Sequence, residues 1–315
     1  MVRGRRLPRH RELGVIISIV CMGVVFSVLN PKFLSPASFA SMISMAAELG
    51  IVAVGVAFLM ISGEFDLSVG SVYAASSLLA AWLINDGVPF PLAFLAAIGL
   101  AACVGLANAL ITIKGGIPSF ITTLGMMWFI RGIILAVTGG FPVVLSHYPF
   151  GLNVLAAPIY GDFRVSGIWF LAFVAAFQYM LMWTAYGNWV QAVGGAPGTA
   201  RALGINVSKV KTINFMLSSI MAAISGMIAL ARFSIVEPVA GQGLELEAIA
   251  SAVIGGCALT GGVGTIIGAA LGAFIVGEIR VGLILAGAPA YWYIGFIGIL
   301  LIVAGTINLR LVRRE

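Results

Sequence analysis

Long apolar runs, joined mostly by short polar connections, constrain the fold more than any other feature of this sequence. Of the 315 residues, 61% are apolar and 9% are charged. A soluble domain carries nearer a quarter charged residues, so these few charges cannot cover the surface of a soluble protein of this size. The runs approach the ~20 residues that a helix needs to cross a bilayer. The sequence therefore predicts a polytopic membrane protein.

About ten runs qualify as candidate membrane spans. They are Leu13–Leu29, Phe39–Ile61, Leu67–Ile84, Pro91–Ile113, Pro118–Val137, Gly167–Thr184, Thr212–Ala231, Leu244–Ala258, Thr265–Ala286 and Tyr291–Ile307. Leu244–Ala258 is the shortest. Because the runs are solidly apolar and lack the in-out alternation of barrel strands, the predicted fold class is all-α. We expect a single membrane domain over residues 1–315 and no soluble domain.

The basic residues indicate which ends of the spans face the cytoplasm. One cluster precedes the first span and another follows the last: Arg3, Arg5, Arg6, Arg9 and Arg11, then Arg310, Arg313 and Arg314. Basic residues favour the cytoplasmic side, so both termini are predicted to be cytoplasmic, which requires an even number of spans. Threading ten spans also places inside Lys114, Arg201, Lys209 and Lys211. The positive net charge follows membrane topology and does not indicate a nucleic-acid partner.

The loop 185–211, on the predicted cytoplasmic side, is the most informative connection. Pro197 can start a short helix at its first turn, and Gly204 can end it in a left-handed conformation. Between them lie Ala200 and Arg201. Such a short element, lying parallel to the membrane, could dock in a groove on a partner. The alternative is an ordinary connecting loop.

Two glycine-containing stretches echo each other. Ile61-Ser-Gly63, followed by Leu67-Ser-Val-Gly70, is similar to Ile254-Gly-Gly256 followed by Leu259-Thr-Gly-Gly-Val-Gly264. A parallel internal repeat would produce this pattern, and so would the abundance of glycine in membrane helices. The small residues around Gly268 and Gly272 are spaced by four, which favours close helix packing.

Three stretches together resemble one known family. They are ISGEFDLSVGS at 61–71, the loop from Tyr186 to Lys211, and EAIASAVIGGCALTGGVGT at 247–265. They are similar to the "TGGIDLSVGS", "GGN…AAR…GI" and "AIAAVVIGGTSLSGGRGT" motifs of permeases in the ribose-type ATP-binding-cassette importer family. Their order and spacing agree with that family, and the resemblance covers nearly the whole chain.

The resemblance implies a function, a location and partners. Permeases of this family lie in the bacterial cytoplasmic (inner) membrane and import ribose, xylose, galactose-like sugars, polyols or the autoinducer-2 signal. The family implies a homo- or heterodimeric membrane core, cytoplasmic ATPase subunits and a periplasmic or extracellular solute-binding protein. It also implies that the loop couples the chain to the ATPase. The matching positions are Gly194, Gly195, Ala200, Arg201, Gly204 and Ile205.

The chain departs from the family pattern at three places. Val263 stands where the family often has Arg, and Glu64 stands where it often has Gly. Ala196-Pro-Gly-Thr199 replaces a stretch that often carries Asn and an acidic residue. These departures bear on the ATPase contact and on the solute.

Acidic residues at the end of the second span are candidates for the translocation path or its gate. A carboxylate within a membrane is costly and marks a functional site by default. Glu64 and Asp66, with Ser68 and Gly70, form this candidate set. Asp66 could cap the first turn of the third helix or contact the solute. A second candidate interaction pairs Glu278 with Arg131 on another helix.

The sequence lacks a nucleotide-binding motif and a catalytic constellation. No G-x-x-x-x-G-K-[ST] phosphate loop occurs, so an ATP-driven system would need a separate ATPase subunit. The histidines and cysteines have no metal-ligand spacing, and no cofactor is expected. The competing function is an ion- or proton-coupled secondary transporter, which would use intramembrane charges such as Glu64 and Asp66. A membrane-embedded enzyme is the third class.

The predicted topology can be tested with reporter fusions. A reporter after Arg314 is expected to be cytoplasmic, and one in the loop at Tyr148 is expected to lie on the opposite side, because ten spans separate the two compartments in this way. Compartment-specific reporters measure both. If the two positions gave the same compartment, the threading would be wrong.

Overall fold

A computed structural model describes residues 10–289, 292–299, 302 and 306 of the chain. Over that part the fold is helical. The helices are α1 (His10–Leu29), α2 (Pro36–Ile61), α3 (Val69–Asn85), α4 (Phe90–Gly115), α5 (Ser119–Thr138), α6 (Asn153–Ala156), α7 (Val165–Trp183), α8 (Ala185–Gly195), α9 (Pro197–Ala202), α10 (Val207–Phe233), α11 (Leu244–Ile254) and α12 (Ile266–Leu285). Short 3-10 helices cover Pro31–Leu34 and Phe150–Leu152. Residues 292–299 are also helical.

Six of these helices are long and apolar enough to cross a membrane: α2, α4, α5, α7, α10 and α12. Two shorter apolar segments are Leu13–Leu29 and Val69–Asn85. The predicted span Leu244–Ala258 is realised as α11, an 11-residue helix of about 16 Å, which is too short to cross ~30 Å of hydrocarbon. The terminal Arg clusters lie outside the residues whose placement or side chains are described, as does much of Tyr291–Ile307. The count of ten spans stays a prediction.

The long helices form a centre and a periphery. Within their spans, 83% of α2 and 72% of both α10 and α12 is buried inside the protein. The corresponding shares are 22% for α4, 28% for α5 and 33% for α7. These three helices therefore expose apolar side chains, including Trp128, Phe129 and Leu171. Lipid is the solvent that suits such a surface.

The ends of the central helices follow ordinary capping chemistry. Ser35 caps α2 by accepting a hydrogen bond from the backbone N–H of Ser38, and Pro36 occupies the first helical position. Asn206 caps α10 in the same way through Lys209. These caps satisfy backbone donors that the helix itself cannot pair.

Irregular segments precede the two short helices α3 and α11. Residues 62–68 connect α2 to α3, and residues 237–243 precede α11. Both α3, at about 25 Å, and α11 are shorter than a bilayer is thick. Discontinuous helices of this kind are typical of transporters, in which irregular backbone at membrane depth is covered by protein.

Four short strands are present in the described part of the chain: the first and fourth follow α5 and α10, and the second and third precede α7. The strands are β1 (Val143–Val144), β2 (Pro158–Tyr160), β3 (Phe163–Arg164) and β4 (Ile235–Val236). β1 pairs antiparallel with β4, with Val143 opposite Val236, and β2 pairs antiparallel with β3. The first pair ties the long loop after α5 to the segment after α10.

Glycines bring α11 and α12 into backbone contact, as the sequence predicted. A Cβ atom added to Gly272 would meet the carbonyl of Ser251, and one added to Gly268 would meet the carbonyl of Gly255. Close approach of small residues is how helices associate when lipid removes most of the hydrophobic drive between them.

We expect Gly272→Ala to destabilise the protein by roughly 1–3 kcal/mol, because the new methyl group overpacks the α11–α12 contact. Gly99→Ala is the matched control: it also lies inside a helix, but nothing lies within 4 Å of its added Cβ. Unfolding of both variants in detergent micelles measures the difference. Equal stability of the two would contradict the packing described here.

Candidate functional site

The end of α8 meets two other turns of the chain through glycine backbone. The N–H of Gly262 donates to the carbonyl of Ile61 over 2.8 Å. A Cβ on Gly194 would overlap that carbonyl, and a Cβ on Gly262 would lie 2.6 Å from the Cα of Gly195. We call this meeting point the glycine junction; it consists of Gly63, Gly194, Gly195, Gly261 and Gly262. Side chains would separate its three segments.

The glycine junction joins the three stretches that carry the family resemblance. A Cβ on Gly261 would lie 2.8 Å from the Cα of Gly63, so the two echoing stretches touch each other. Both Gly63 and Gly261 have positive φ, at 88° and 82°, which glycine adopts without strain. The glycine spacing was visible in the sequence. The contact between stretches almost two hundred residues apart was not.

The predicted short helix is present as α9. Pro197 occupies its first turn, and Gly204 follows it with a φ of 83°, so both predicted ends are confirmed. Ala200 is buried against the protein, and Ile205 is half-buried. Arg201 and the neighbouring Leu203, by contrast, are exposed.

The exposed side of α9 therefore combines one guanidinium with one large apolar side chain. Arg201 was among the residues predicted for coupling, whereas Leu203 was missed. Leu203 is 75% exposed. Its signal in the sequence was an isolated apolar residue just before Gly204.

Glu64 ties the end of α2 to the start of α10. Its carboxylate forms an ion pair with the ammonium group of Lys211. Both side chains are largely buried. Glu64, a predicted candidate for the translocation path or its gate, lies beside the glycine junction and links two helices.

Asp66 and Ser68 form the centre of a buried polar cluster. The carboxylate Oδ1 of Asp66 accepts hydrogen bonds from the backbone N–H and the hydroxyl of Ser68, at 2.9 and 2.6 Å. Asn108 on α4 donates to the same hydroxyl, and Ser219 on α10 lies 3.5 Å from Asp66 Oδ2. The expected cap on the first turn of α3 is wrong in detail, because Asp66 binds the residue that precedes that turn.

One face of α5 holds both irregular segments. The hydroxyls of Ser119 and Thr123 accept from the N–H groups of Phe65 and Leu67, and the carbonyl of Met127 accepts from the hydroxyl of Ser71. Farther along, Arg131 donates to the carbonyls of Pro238 and Ala240 at 2.7 and 2.9 Å. The α5 residues are four apart and so lie on one face of the helix. We call them the α5 rail: Ser119, Thr123, Met127 and Arg131.

The expected pairing of Arg131 with Glu278 is wrong. Arg131 binds the segment 237–243, whereas Glu278 packs beside Gly23 of α1, and its Oε2 has no hydrogen-bond partner in the part of the chain described. Charge alone suggested the pair. The sequence could not show that an irregular segment presents carbonyl groups to Arg131.

Gly70 closes the space between α3 and α11. A Cβ on Gly70 would overlap both the carbonyl of Gly241 and the carboxylate of Glu245. Gly241 has a φ of 71°, and a Cβ added to it would in turn meet the carbonyl of Gly70. The two short helices α3 and α11 both begin here. The positive N-terminal ends of their helix dipoles therefore converge, and the Glu245 carboxylate lies beside both. We call the contact between Gly70 and Gly241 the closure.

A cavity of about 480 Å³ lies directly beside the closure. Its walls come from α3, α10, α12 and residues 235–241, and Gly241 belongs to both features. Polar side chains among the lining residues are Tyr73, Ser77, Glu237 and Arg280. The cavity is near the C-terminal end of α10, whereas the glycine junction is near the N-terminal end.

Together these features indicate the class of protein to which the chain belongs. Apolar helices surround interrupted helices, a polar-lined cavity and a surface element joined to the interior, which is the arrangement of a membrane transport protein. Residues 38–305 match the family described as branched-chain amino acid transport system / permease component, and the chain belongs to this permease family. It is a multi-pass protein of the bacterial cytoplasmic (inner) membrane.

The relatives are similar over nearly their whole length. Ribose import permease protein RbsC of Escherichia coli (strain K12) is 34% identical over 289 residues, which are 89% of this chain and 88% of the relative. RbsC of Bacillus subtilis (strain 168) is 32% identical over 294 residues, 93% and 91% of the two chains. Autoinducer 2 import system permease protein LsrC of Photorhabdus luminescens is 32% identical over 286 residues, 91% and 86%. No solved structure matches the chain.

Two adjacent threonines test the role of the α5 rail. Thr123→Val is expected to cost roughly 1–3 kcal/mol, because it leaves the buried N–H of Leu67 without an acceptor. Thr122→Val is the control: Thr122 is also buried, and its hydroxyl has no partner among the residues described. The free energy of unfolding in micelles measures both. Similar losses in the two variants would show that Thr123 does not support the segment.

Proposed function

We propose that the chain is the permease subunit of an ATP-binding-cassette importer that carries a sugar or similar small polar solute across the membrane. The observation that supports this most directly is the glycine junction, which joins the exposed helix α9 to the ends of α2 and α11. The ribose and autoinducer-2 names of the relatives support the class of solute.

The proposed partners follow from two features of the chain: its sequence has no phosphate loop, and its surface exposes α9. No phosphate loop is present in the sequence, so ATP binds to a separate cytoplasmic ATPase subunit. A solute-binding protein delivers the solute from the other side, and a second copy of the permease or a paralogue completes the core. In this arrangement both termini and α9 are cytoplasmic, and α4, α5 and α7 contact lipid.

Residues 185–211 act as the coupling loop. Arg201 and Leu203 provide one charged and one apolar contact to a cleft of the ATPase, and the guanidinium can donate charge-assisted hydrogen bonds there. Ala200 and Ile205 hold α9 against the permease. Gly204 allows the chain to turn back toward α10.

Motion of the ATPase passes from α9 to the interior through backbone. Gly194 and Gly195 touch the end of α2 and the turn after α11 directly, so a displacement of α8 cannot be absorbed by flexible side chains at that point. The segment 62–68 continues from α2 through Asp66 and Ser68 to the closure at Gly70. We place the gate of the translocation path along this segment.

The alternative, an ion- or proton-coupled transporter, draws support from the buried carboxylates of Asp66 and Glu278. An ion-coupled mechanism at these carboxylates would not explain why Arg201 of α9 and the adjacent Leu203 are exposed. The energy source for uptake separates the two functions. A reconstituted importer requires ATP and an ATPase subunit, whereas a coupled transporter requires an ion gradient.

The test is uptake by proteoliposomes that contain the chain, its ATPase and its binding protein. We expect Gly194→Ala to reduce uptake at least about tenfold, since the added methyl group overlaps the Ile61 carbonyl and separates the junction. Gly99→Ala, in α4 and outside the coupling loop, with nothing within 4 Å of its added Cβ, is expected to behave as wild type.

Arg201→Ala tests docking in the same system. The variant is expected to bind the ATPase more weakly, by a factor that corresponds to roughly 1–3 kcal/mol, while its abundance in the membrane stays normal because Arg201 is exposed. Pull-down of the ATPase measures the loss. Uptake driven by an ion gradient without ATP, or normal uptake in both Gly194→Ala and Arg201→Ala, would refute the coupling role.

A further inference from the structure

We propose that the cavity between α3, α10 and α12 is a binding site for an uncharged, polyhydroxylated solute, with Glu237 and Arg280 as its specificity-determining residues. This proposal rests on the proposed function and goes beyond it, because it gives the permease its own solute site in addition to that of the binding protein.

The size of the cavity suits a small solute. Its volume of about 480 Å³ lies within the ~300–1,000 Å³ typical of small-molecule sites. Most of the lining residues are apolar, and a few carry polar side chains, which is also typical of such sites. Leu230 and Phe233 of α10 contribute apolar surface, and Tyr73 of α3 contributes an aromatic ring.

The polar groups of the walls are available to a ligand. Among the described residues, neither the Glu237 carboxylate nor the Arg280 guanidinium forms an ion pair. The guanidinium lies 4.4 Å from the ring centroid of Tyr293, which orients it without using its hydrogen-bond donors. Both side chains are exposed at the cavity.

Two neighbouring arginine side chains, by contrast, are already bound to other groups of the chain. Arg232 binds Glu48 over 2.8 Å beside the cavity, and Arg131 binds two carbonyls below it. Glu237 and Arg280 are the charged residues in the cavity wall, and the charge of Arg280 also acts on Glu247 and Glu48 outside it.

The arrangement of these groups indicates the chemistry of the ligand. A carboxylate offers two acceptor oxygens and a guanidinium donates several hydrogen bonds in a fixed fork, so the two groups can bind hydroxyl groups of a sugar or polyol. One negative and one positive group sum to zero, which disfavours a solute with net charge. A zwitterionic amino acid would also match the two charges and is the alternative that the experiment must distinguish.

The position of the site links binding to translocation. Gly241 lies in the wall of the cavity and also forms the closure with Gly70. A solute in the cavity therefore rests on the segment 237–243, which Arg131 holds through its carbonyls. Release toward the cytoplasm requires that segment to move away from α3.

The experiment measures weak binding directly. Saturation-transfer NMR on the purified permease–ATPase complex, without binding protein, uses ribose, galactose and ribitol as neutral probes, with ribose 5-phosphate and leucine as charged and zwitterionic probes. We expect binding of at least one neutral probe and of neither other class. Glu237→Gln and Arg280→Gln are each expected to weaken that binding about tenfold, the usual effect of losing a hydrogen bond to a charged group.

The controls lie away from the cavity. Asp162→Asn and Lys32→Gln remove the same kinds of charge at exposed positions in other loops and are expected to bind as wild type. Absence of neutral-probe binding, or equal binding by all variants, would overturn the site. Leucine binding that both Gln variants weaken would overturn the polyhydroxylated class.

Parallel uptake assays separate the two proposals. ATP-driven sugar uptake by the complete wild-type system, together with unchanged solute preference in Glu237→Gln and Arg280→Gln, would leave the importer function standing and remove the site. Absence of ATP-driven uptake of any neutral probe would count against the function itself.

Discussion

The need to pair every backbone donor within a bilayer governs this structure. A chain that interrupts its helices inside the membrane exposes N–H and C=O groups that lipid cannot satisfy. Here the α5 rail satisfies several of them: Ser119 and Thr123 accept from two N–H groups of one irregular segment, and Arg131 donates to two carbonyls of the other. The cavity, the closure and the buried Asp66 cluster all depend on these interruptions. A continuous α3 or α11 would leave room for none of them.

Much of the helical framework could be predicted from the sequence, because membrane spans are encoded locally in apolar runs. The six long helices coincide with predicted spans, and the Pro197 and Gly204 boundaries of α9 were correct. The shortened α11 was not predicted, since the apolar run continues to Ala258 whereas the helix ends at Ile254. A hydropathy pattern records which residues avoid water, and a buried irregular segment avoids water as well as a helix does.

Several residues of the candidate site could be named from the sequence, whereas their contacts could not. Gly194, Asp66 and Gly70 were all identified as candidates, but their contacts join stretches far apart in the sequence, and no local pattern encodes such distances. Arg131 shows the limit most clearly. Its partner is a pair of backbone carbonyls, which every residue possesses, so no side chain in the sequence could identify them. Glu237 and Arg280 were missed because each becomes informative only as part of a cavity wall.

The glycine junction has a consequence for how such proteins diversify. Its contacts are made by main-chain atoms, which are the same in every protein, whereas the cavity near the other end of α10 is lined by side chains. Under the proposed function, the side chains that line the cavity can change to suit another solute without altering the backbone contacts that connect the permease to the ATPase. A family in which the cavity lining varies and the glycine junction does not would include relatives named for solutes as different as ribose and autoinducer 2.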